Sequence, residues 1–366
     1  MKDNKKSNLR ICTLTHHTVP NYGAVLQAFA LQKAIENLGY KSEILNYISE
    51  RVQISYYLKF PKKGSIKKKI SYFFKHSNFM KRKAVFDAFL NQYILLSKET
   101  YTRETLKESN QRYDLFITGS DQVWNLKLHQ MDITYMLDFV IDNRKKGSYA
   151  ASFGYEKIPN EYKEKTKELL SQFQYINVRE ESGKNIINEL NISKPINVVL
   201  DPTLLLEVND WEKFVIKRPS QKYVLVYDLI NSEDIKNKAS KLAEEYNYEL
   251  INIHPDNFEI SVQEFISLFY NASFVITSSF HGMAFSIIFN KDFYFCLNKN
   301  KINNNSRLID LANSLCLEKR NLDYLIDFHK IQSIDYKKVN QLLASLRDHS
   351  LLVLKNMINN REGGQL

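Results

Sequence analysis

The sequence predicts an α/β protein of two lobes in series, closed by a long C-terminal helix. Three observations point there. At 366 residues the chain exceeds one ordinary core and fits two domains. Short apolar runs alternate with helix-periodic stretches from end to end, the pattern of parallel sheets covered by helices. The alternation breaks near residues 207–221 and then restarts. The predicted boundaries are an N-terminal domain over 1–208 with a basic insert at 51–86, a C-terminal domain over 220–330, and a helix over 335–358.

Residues 9–15 (LRICTLT) read as the first buried strand. A turn with Pro20, Asn21 and Gly23 follows, then Val25, Leu26, Phe29 and Ala30 at helical spacing up to Leu38. Gly39 stops that helix and KSEILNY (41–47) is the next strand, giving one βαβ unit. Further strands are expected in RYDLFITGS (112–120), running into a loop, GSYAASFG (147–154), YINVRE (175–180) and NVVLDP (197–202), with helices over 161–172 and 182–190. The second lobe opens with KYVLVYDL (222–229). Helices over 233–247, 262–270 and 283–290 then alternate with strands over 248–254, 273–279 and 292–298. Over 335–358, Val339, Leu342, Leu343, Leu346, Leu351, Leu354 and Met357 form an apolar helical stripe.

Composition narrows the class. Hydrophobic residues make up 44% and aromatics 13%, enough for packed interiors. The three cysteines have neither disulfide nor zinc-ligand spacing, which points to a reducing compartment. No apolar run reaches membrane-spanning length and no signal-peptide core follows the basic start. The expected location is therefore cytoplasmic, extending to the inner membrane face. The net charge of +10 belongs to one segment: from Arg51 to Phe86 there are eleven Lys or Arg and no Asp or Glu. Aromatics interleave with those lysines in YYLKF, ISYFF and FMKRK, suggesting short amphipathic helices. An anionic lipid surface suits 51–83 better than nucleic acid, since RNA-binding signatures are missing; a solvated insert is the plain alternative.

In such folds chemistry is sought at strand-to-helix turns. TSSFHGMAF (277–285) puts Ser278, Ser279, His281 and Gly282 where a buried strand ends and an apolar helix begins. Helix N-termini suit phosphate or carboxylate, and a histidine there can act as an acid; a serine cap with an incidental histidine is the plain reading. Asn21 and Gly23 open the first helix, where Asn21 also reads as an ordinary cap. Asp121, Gln122 and Trp124 group at a strand end like a sugar-binding rim, or else cap a helix with Trp124 in the core. YAASFG (149–154) allows close ligand approach or tight packing. Arg179 follows an apolar strand and could grip a carboxylate or form an interdomain ion pair. No nucleotide-loop, nucleophile-elbow or metal motif stands out, so a metal-free mechanism without a resident cofactor is expected.

Together these pieces resemble the polysaccharide pyruvyl transferase family. They are NYGAVLQAFALQ (21–32), FITGSDQVWN (116–125), YAASFG (149–154), VREESG (178–183), VLDPTLLL (199–206) and SSFHGMAFSIIFNKDF (278–293), with NSRLIDLANSLCLEKR (305–320) beyond them. The resemblance implies two Rossmann-like lobes of the GT-B type. It also implies transfer of pyruvate from phosphoenolpyruvate, a co-substrate, to a sugar of a surface polysaccharide or its lipid-linked precursor, as a ketal. In the family a histidine before glycine, matching His281-Gly282, lies at the active site, often with an arginine two positions earlier; here that position is Ser279. The implied roles are His281 as acid or phosphate contact, with Ser278, Ser279 and Gly282 beside it. Arg179 and Arg307 would supply the missing donor-anion charge, and Asn21, Gly23, Asp121, Gln122 and Trp124 the acceptor contacts. Rival readings are a glycosyltransferase with a nucleotide-sugar donor and a basic membrane- or nucleic-acid-binding protein.

Overall fold

The computed structural model describes residues 9–49, 66–128, 132–216, 221–254, 260–299 and 305–362. The chain forms two compact units, one of residues 1–205 with 349–366 and one of residues 206–348. Each is a parallel sheet flanked by helices.

In the first unit, strands β1 (Arg10–Leu14), β2 (Lys41–Ile44), β3 (Leu115–Thr118) and β4 (Lys146–Ser148) line up in the order β2-β1-β3-β4. All three pairings are parallel. A second ribbon, β5 (Ile176–Val178) with β6 (Ile196–Val198), joins the β4 side through isolated parallel bridges Gly147↔Tyr175 and Ala151↔Val178. The GSYAASFG strand stops at Ser148 because Ala150 takes a positive φ of 49°, which an extended run cannot continue.

Helix α1 (Tyr22–Asn37) connects β1 to β2 and is buried along most of its length. The basic segment differs from expectation: from Ile66 to Tyr93 it is one helix, α2, rather than several short ones. Residues 51–65 of that segment lie outside the described residues. The far end of α2 docks on α1, with Phe86 tilted against Tyr22 at 4.8 Å and Phe89 edge-on to Phe29 at 5.9 Å between ring centroids. Those aromatic pairs anchor the far end of the basic helix on α1. Helices α3 (Asn160–Leu170) and α4 (Glu181–Glu189) complete the cover of the unit.

The second unit begins with the short helix α5 (Val208–Glu212). Its sheet has the order β10-β9-β7-β8, all parallel, with β7 (Tyr223–Tyr227), β8 (Glu249–Ile253), β9 (Phe274–Thr277) and β10 (Asp292–Phe295). Helix α6 (Glu233–Tyr246) starts on a Ser232 cap and ends at Asn247 in the left-handed region. Helix α7 (Val262–Asn271) carries a Ser261/Glu264 capping box. Helices α8 (Phe280–Ile288) and α9 (Ser306–Ser314) follow β9 and β10. The last helix, α10, runs from Tyr336 to Glu362, longer than expected at its C-terminal end, and is shared: from His349 onward it belongs to the first unit. No helix among the described residues is long and apolar enough to cross a membrane.

Candidate active site

In both sheets the chain leaves its first strand to one side and later returns to the other. The reversal falls between β1 and β3 in the first unit and between β7 and β9 in the second. Ligands of open parallel sheets bind beyond the carboxyl ends of the strands at such a point. All but one of the residues singled out from sequence sit in turns at strand ends or in the helix turns that follow them.

At the first reversal the turn after β3 is stitched to β1 and α1 by a closed ring of hydrogen bonds. Gln27 Nε2 donates to Thr15 Oγ1 (2.8 Å), Thr15 Oγ1 donates to the Ser120 carbonyl (3.2 Å), and the Ser120 N–H donates to Gln27 Oε1 (3.0 Å). Ser120 Oγ reaches Asp201 Oδ2 at 3.0 Å. Gly119 has a φ of 120°, and a Cβ there would lie 2.1 Å from the Tyr149 carbonyl oxygen. Only glycine admits that approach.

Arg179 lies at the centre of this arrangement. Its side chain is 2% exposed and meets Asp201 at 2.9 Å, Asp121 at 3.3 Å and Glu180 at 3.5 Å. Burial alone would lower its pKa; the carboxylates of Asp121, Asp201 and Glu180 more than offset that and raise it, so the guanidinium stays charged. Ser152 Oγ holds Glu180 Oε1 at 2.6 Å, and the Thr203 N–H and hydroxyl hold Asp201 Oδ1 at 3.0 and 2.8 Å. A donor-anion role for Arg179 must therefore compete with this set of ion pairs. Three carboxylates of its own unit already surround Arg179, and a phosphate or carboxylate ligand would face their repulsion. Nor are these partners interdomain ones, since all three belong to the first unit.

Trp124 lies in the core and not on a sugar-binding rim. It is fully buried, its ring tilted against Phe153 at 5.2 Å and edge-on to Phe173 at 5.8 Å, and its Nε1 donates to the Tyr135 carbonyl. No sugar can reach that face. Asn21 caps α1 by accepting from the Ala24 N–H at 3.2 Å, and Gly23 is buried within the first turn. Gln122 Oε1 accepts from Asn125 Nδ2 at 2.8 Å. Asp121, in a left-handed φ of 68°, keeps 18% of its side chain exposed and is the Arg179 partner that reaches solvent.

At the second reversal, β9 pairs with β7 so that Thr277 lies opposite Tyr227, and the two following residues meet. Ser278 Oγ donates to Asp228 Oδ1 at 2.7 Å and accepts from the Leu229 N–H at 2.8 Å. Asp228 also accepts from the N–H groups of Ile230 (2.9 Å) and Ser232 (2.6 Å). The Ser278 proton is thus directed to the Asp228 carboxylate. Ser279 caps α8 by accepting from the Gly282 N–H at 3.3 Å.

Helix α8 starts at Phe280, three residues earlier than expected, because Ser279 supplies the cap. His281 therefore stands in its first turn, 7% exposed, with its ring edge-on to Phe280. A Cβ on Gly282 would fall 2.2 Å from Thr277 Oγ1, so glycine here lets the helix close on β9. Arg307 lies half-buried in the first turn of α9. The Cys296 thiol, just after β10, is pushed up to about 11, chiefly by burial, and is inert as a nucleophile. Among the described residues no three His, Cys, Asp or Glu side chains are grouped to hold a metal ion.

Sequence reasoning passed over Asp201, Glu180, Gln27 and Asp228. Asp228 had a usable signal: it is a carboxylate placed directly after a fully buried strand. Gln27 had none, since a glutamine inside an apolar helix stripe does not announce its partner.

Among curated proteins none matches the chain. Solved structures similar to it include the UDP-GlcNAc 2-epimerase from Methanocaldococcus jannaschii, at 14% identity and TM-score 0.41, covering 92% of this chain and 99% of that one. The spinosyn rhamnosyltransferase SpnG is similar at 10% identity and TM-score 0.39, covering 97% and 95%. An alpha-glucosyltransferase in complex with UDP and DNA is similar at 7% identity and TM-score 0.43, covering 96% and 95%. The family model for polysaccharide pyruvyl transferase matches residues 21–300, which takes in the first reversal from Asn21 onward and the whole of the second. The chain belongs to the polysaccharide pyruvyl transferase family.

Proposed function

We infer that the protein transfers pyruvate from phosphoenolpyruvate to a sugar of a surface polysaccharide or its lipid-linked precursor, forming a pyruvate ketal. The observation that carries this reading is the family match over residues 21–300, with His281-Gly282 in the first turn of a capped helix at a sheet reversal. That turn offers backbone N–H groups at the positive end of a helix, and an imidazole beside them.

The reaction divides naturally among such groups. His281 delivers a proton to the methylene carbon of the enol, which makes the central carbon electrophilic. One sugar hydroxyl adds there and returns a proton to the now neutral imidazole; a second displaces phosphate, which leaves as hydrogen phosphate carrying that hydroxyl's proton, and closes the ketal. Ser279, the α8 N-terminus and Arg307 are the groups proposed to hold the donor's anionic oxygens. Asp121, the Arg179 partner that keeps part of its side chain exposed, is the acceptor-side candidate, with Gln122 near it. Incubation of the acceptor glycan with phosphoenolpyruvate, followed by mass spectrometry, tests the reading. A pyruvyl increment is expected, and an unmodified glycan with intact phosphoenolpyruvate would reject it.

The basic helix α2 supports a second element of the proposal, contact with an anionic membrane surface. Its exposed residues include Met80 and Lys81, and each lysine near such a surface contributes about 1 kcal/mol. Co-sedimentation with anionic but not neutral vesicles, reversed by salt, is the expected result.

A further inference from the structure

The second unit contains a cavity of about 200 Å³ that plays no part in the chemistry above. It is walled by α5, the C-terminal end of α8, and α10. Asn290 lies nine residues beyond His281 along α8 and the residues that end it. At 1.5 Å per residue the cavity is about 13 Å from the histidine, at the opposite end of the helix.

The polar groups of its wall are three exposed carboxamides, Asn209, Asn290 and Asn340, with Glu207 and Arg347; Ile288 and Leu343 supply apolar surface. Carboxamides both donate and accept hydrogen bonds, and so do hydroxyls on adjacent ring carbons. One carboxylate and one guanidinium leave the wall without net charge, so an anion gains nothing from entering and meets Glu207. No aromatic ring lines the cavity among the described residues, which removes the stacking surface a nucleobase would use. The volume corresponds to roughly six or seven waters, the bulk of one pyranose ring. Burial lowers the Arg347 pKa, with Glu207 the foremost of the carboxylates that work against this, so the guanidinium sits in a partly desolvated floor where its hydrogen bonds gain strength.

We propose that this cavity is an accessory subsite for one neutral hexopyranose unit, held by the carboxamides of Asn209, Asn290 and Asn340 over the Ile288 and Leu343 surface. The site is argued from the second unit alone; that the sugar belongs to the acceptor glycan rests on the reaction inferred above. A repeating glycan could then be gripped at one unit of its chain while another is modified.

Saturation-transfer NMR with methyl glucopyranoside, galactopyranoside and mannopyranoside at millimolar concentration tests the subsite. The variant is Asn290→Gly with Asn340→Ala. Glycine keeps the positive φ of 52° at position 290, and alanine suits an exposed helix position, so the fold is preserved. Wild-type protein is expected to show transfer to at least one of the three sugars, and the variant at least about fivefold less, as loss of two hydrogen bonds implies. No transfer to any sugar, or equal transfer in the variant, overturns the subsite. Pyruvyl transfer to a single-sugar acceptor is measured in parallel and should be unchanged by the double substitution. Variant-sensitive binding without any pyruvyl transfer would keep the subsite and reject the reaction.

Discussion

The two sheet reversals are built alike and filled differently. At the first, Thr15, Gln27, Ser120, Asp201 and Arg179 bond to one another, so most polar side chains at the carboxyl ends of the strands are engaged within the unit and Asp121 keeps part of its side chain exposed. At the second, Asp228 and Ser278 pin the two strand ends together, and the helix that follows presents His281 in its first turn. The same topology thus serves mainly cohesion in one unit, with Asp121 left as an acceptor contact on the proposed reading, and proton transfer in the other. A residue's position at a strand end does not reveal which; its partners do.

Arg179 gives the largest expected effect and the sharpest test of this contrast. Arg179→Met leaves Asp121, Glu180 and Asp201 without their cation. Breaking a buried ion pair by removing one partner costs about 3–5 kcal/mol. For a unit of this size that corresponds to a melting-temperature drop on the order of 10 °C. A variant of unchanged stability with weakened phosphoenolpyruvate binding would return Arg179 to the donor site and erase the difference between the reversals.

His281→Ala should do the reverse. Turnover is expected to fall by on the order of 10²-fold or more, the usual worth of a positioned acid, with melting close to wild type. Near wild-type turnover in a folded variant would remove His281 from the chemistry. Gly282→Ala tests the same turn through packing. Its methyl would press on Thr277 Oγ1 and Cβ, and overpacking of this kind costs about 1–3 kcal/mol. Calorimetry of the variant should show a lower transition, with turnover falling as α8 is pushed from β9.

The order of strands and helices was legible in the sequence because buried parallel strands are short apolar runs and helices keep a 3.6-residue period. The ends were less so. Helix α8 begins earlier than its apolar face suggests, since the Ser279 hydroxyl takes the Gly282 N–H and draws Phe280 and His281 into the first turn. The β4 strand ends early because Ala150 adopts a left-handed conformation that an alanine does not advertise. Within the site, the histidine turn was legible from residue types. The occupation of Arg179 was not: its three carboxylates come from separate places along the chain, residues 121, 180 and 201. Trp124 misled for a related reason, because an aromatic after a polar turn looks the same whether it faces a sugar or Phe153.

His17 supplies the smallest predicted effect and closes the comparison, because it follows β1 much as His281 follows β9. Its ring is 2% exposed, and Nδ1 lies 3.1 Å from the Thr15 carbonyl, the arrangement of a neutral imidazole donating from Nδ1. Burial lowers its pKa below 6.5, and bonds to the Thr15 carbonyl and the Asn46 side chain only partly oppose this. On acidification the unfolded chain therefore takes up a proton near pH 6.5 that the folded chain refuses. Stability from this group is present above pH 6.5 and is lost as pH falls toward the depressed folded value. The loss approaches about 1.4 kcal/mol for each unit by which the pKa is depressed. His17→Asn keeps a donor near the Nδ1 position and cannot titrate. Between pH 7.5 and 5.5 the wild-type melting temperature should fall further than that of the variant. Parallel slopes would show that the buried histidine of the first reversal does not sense pH.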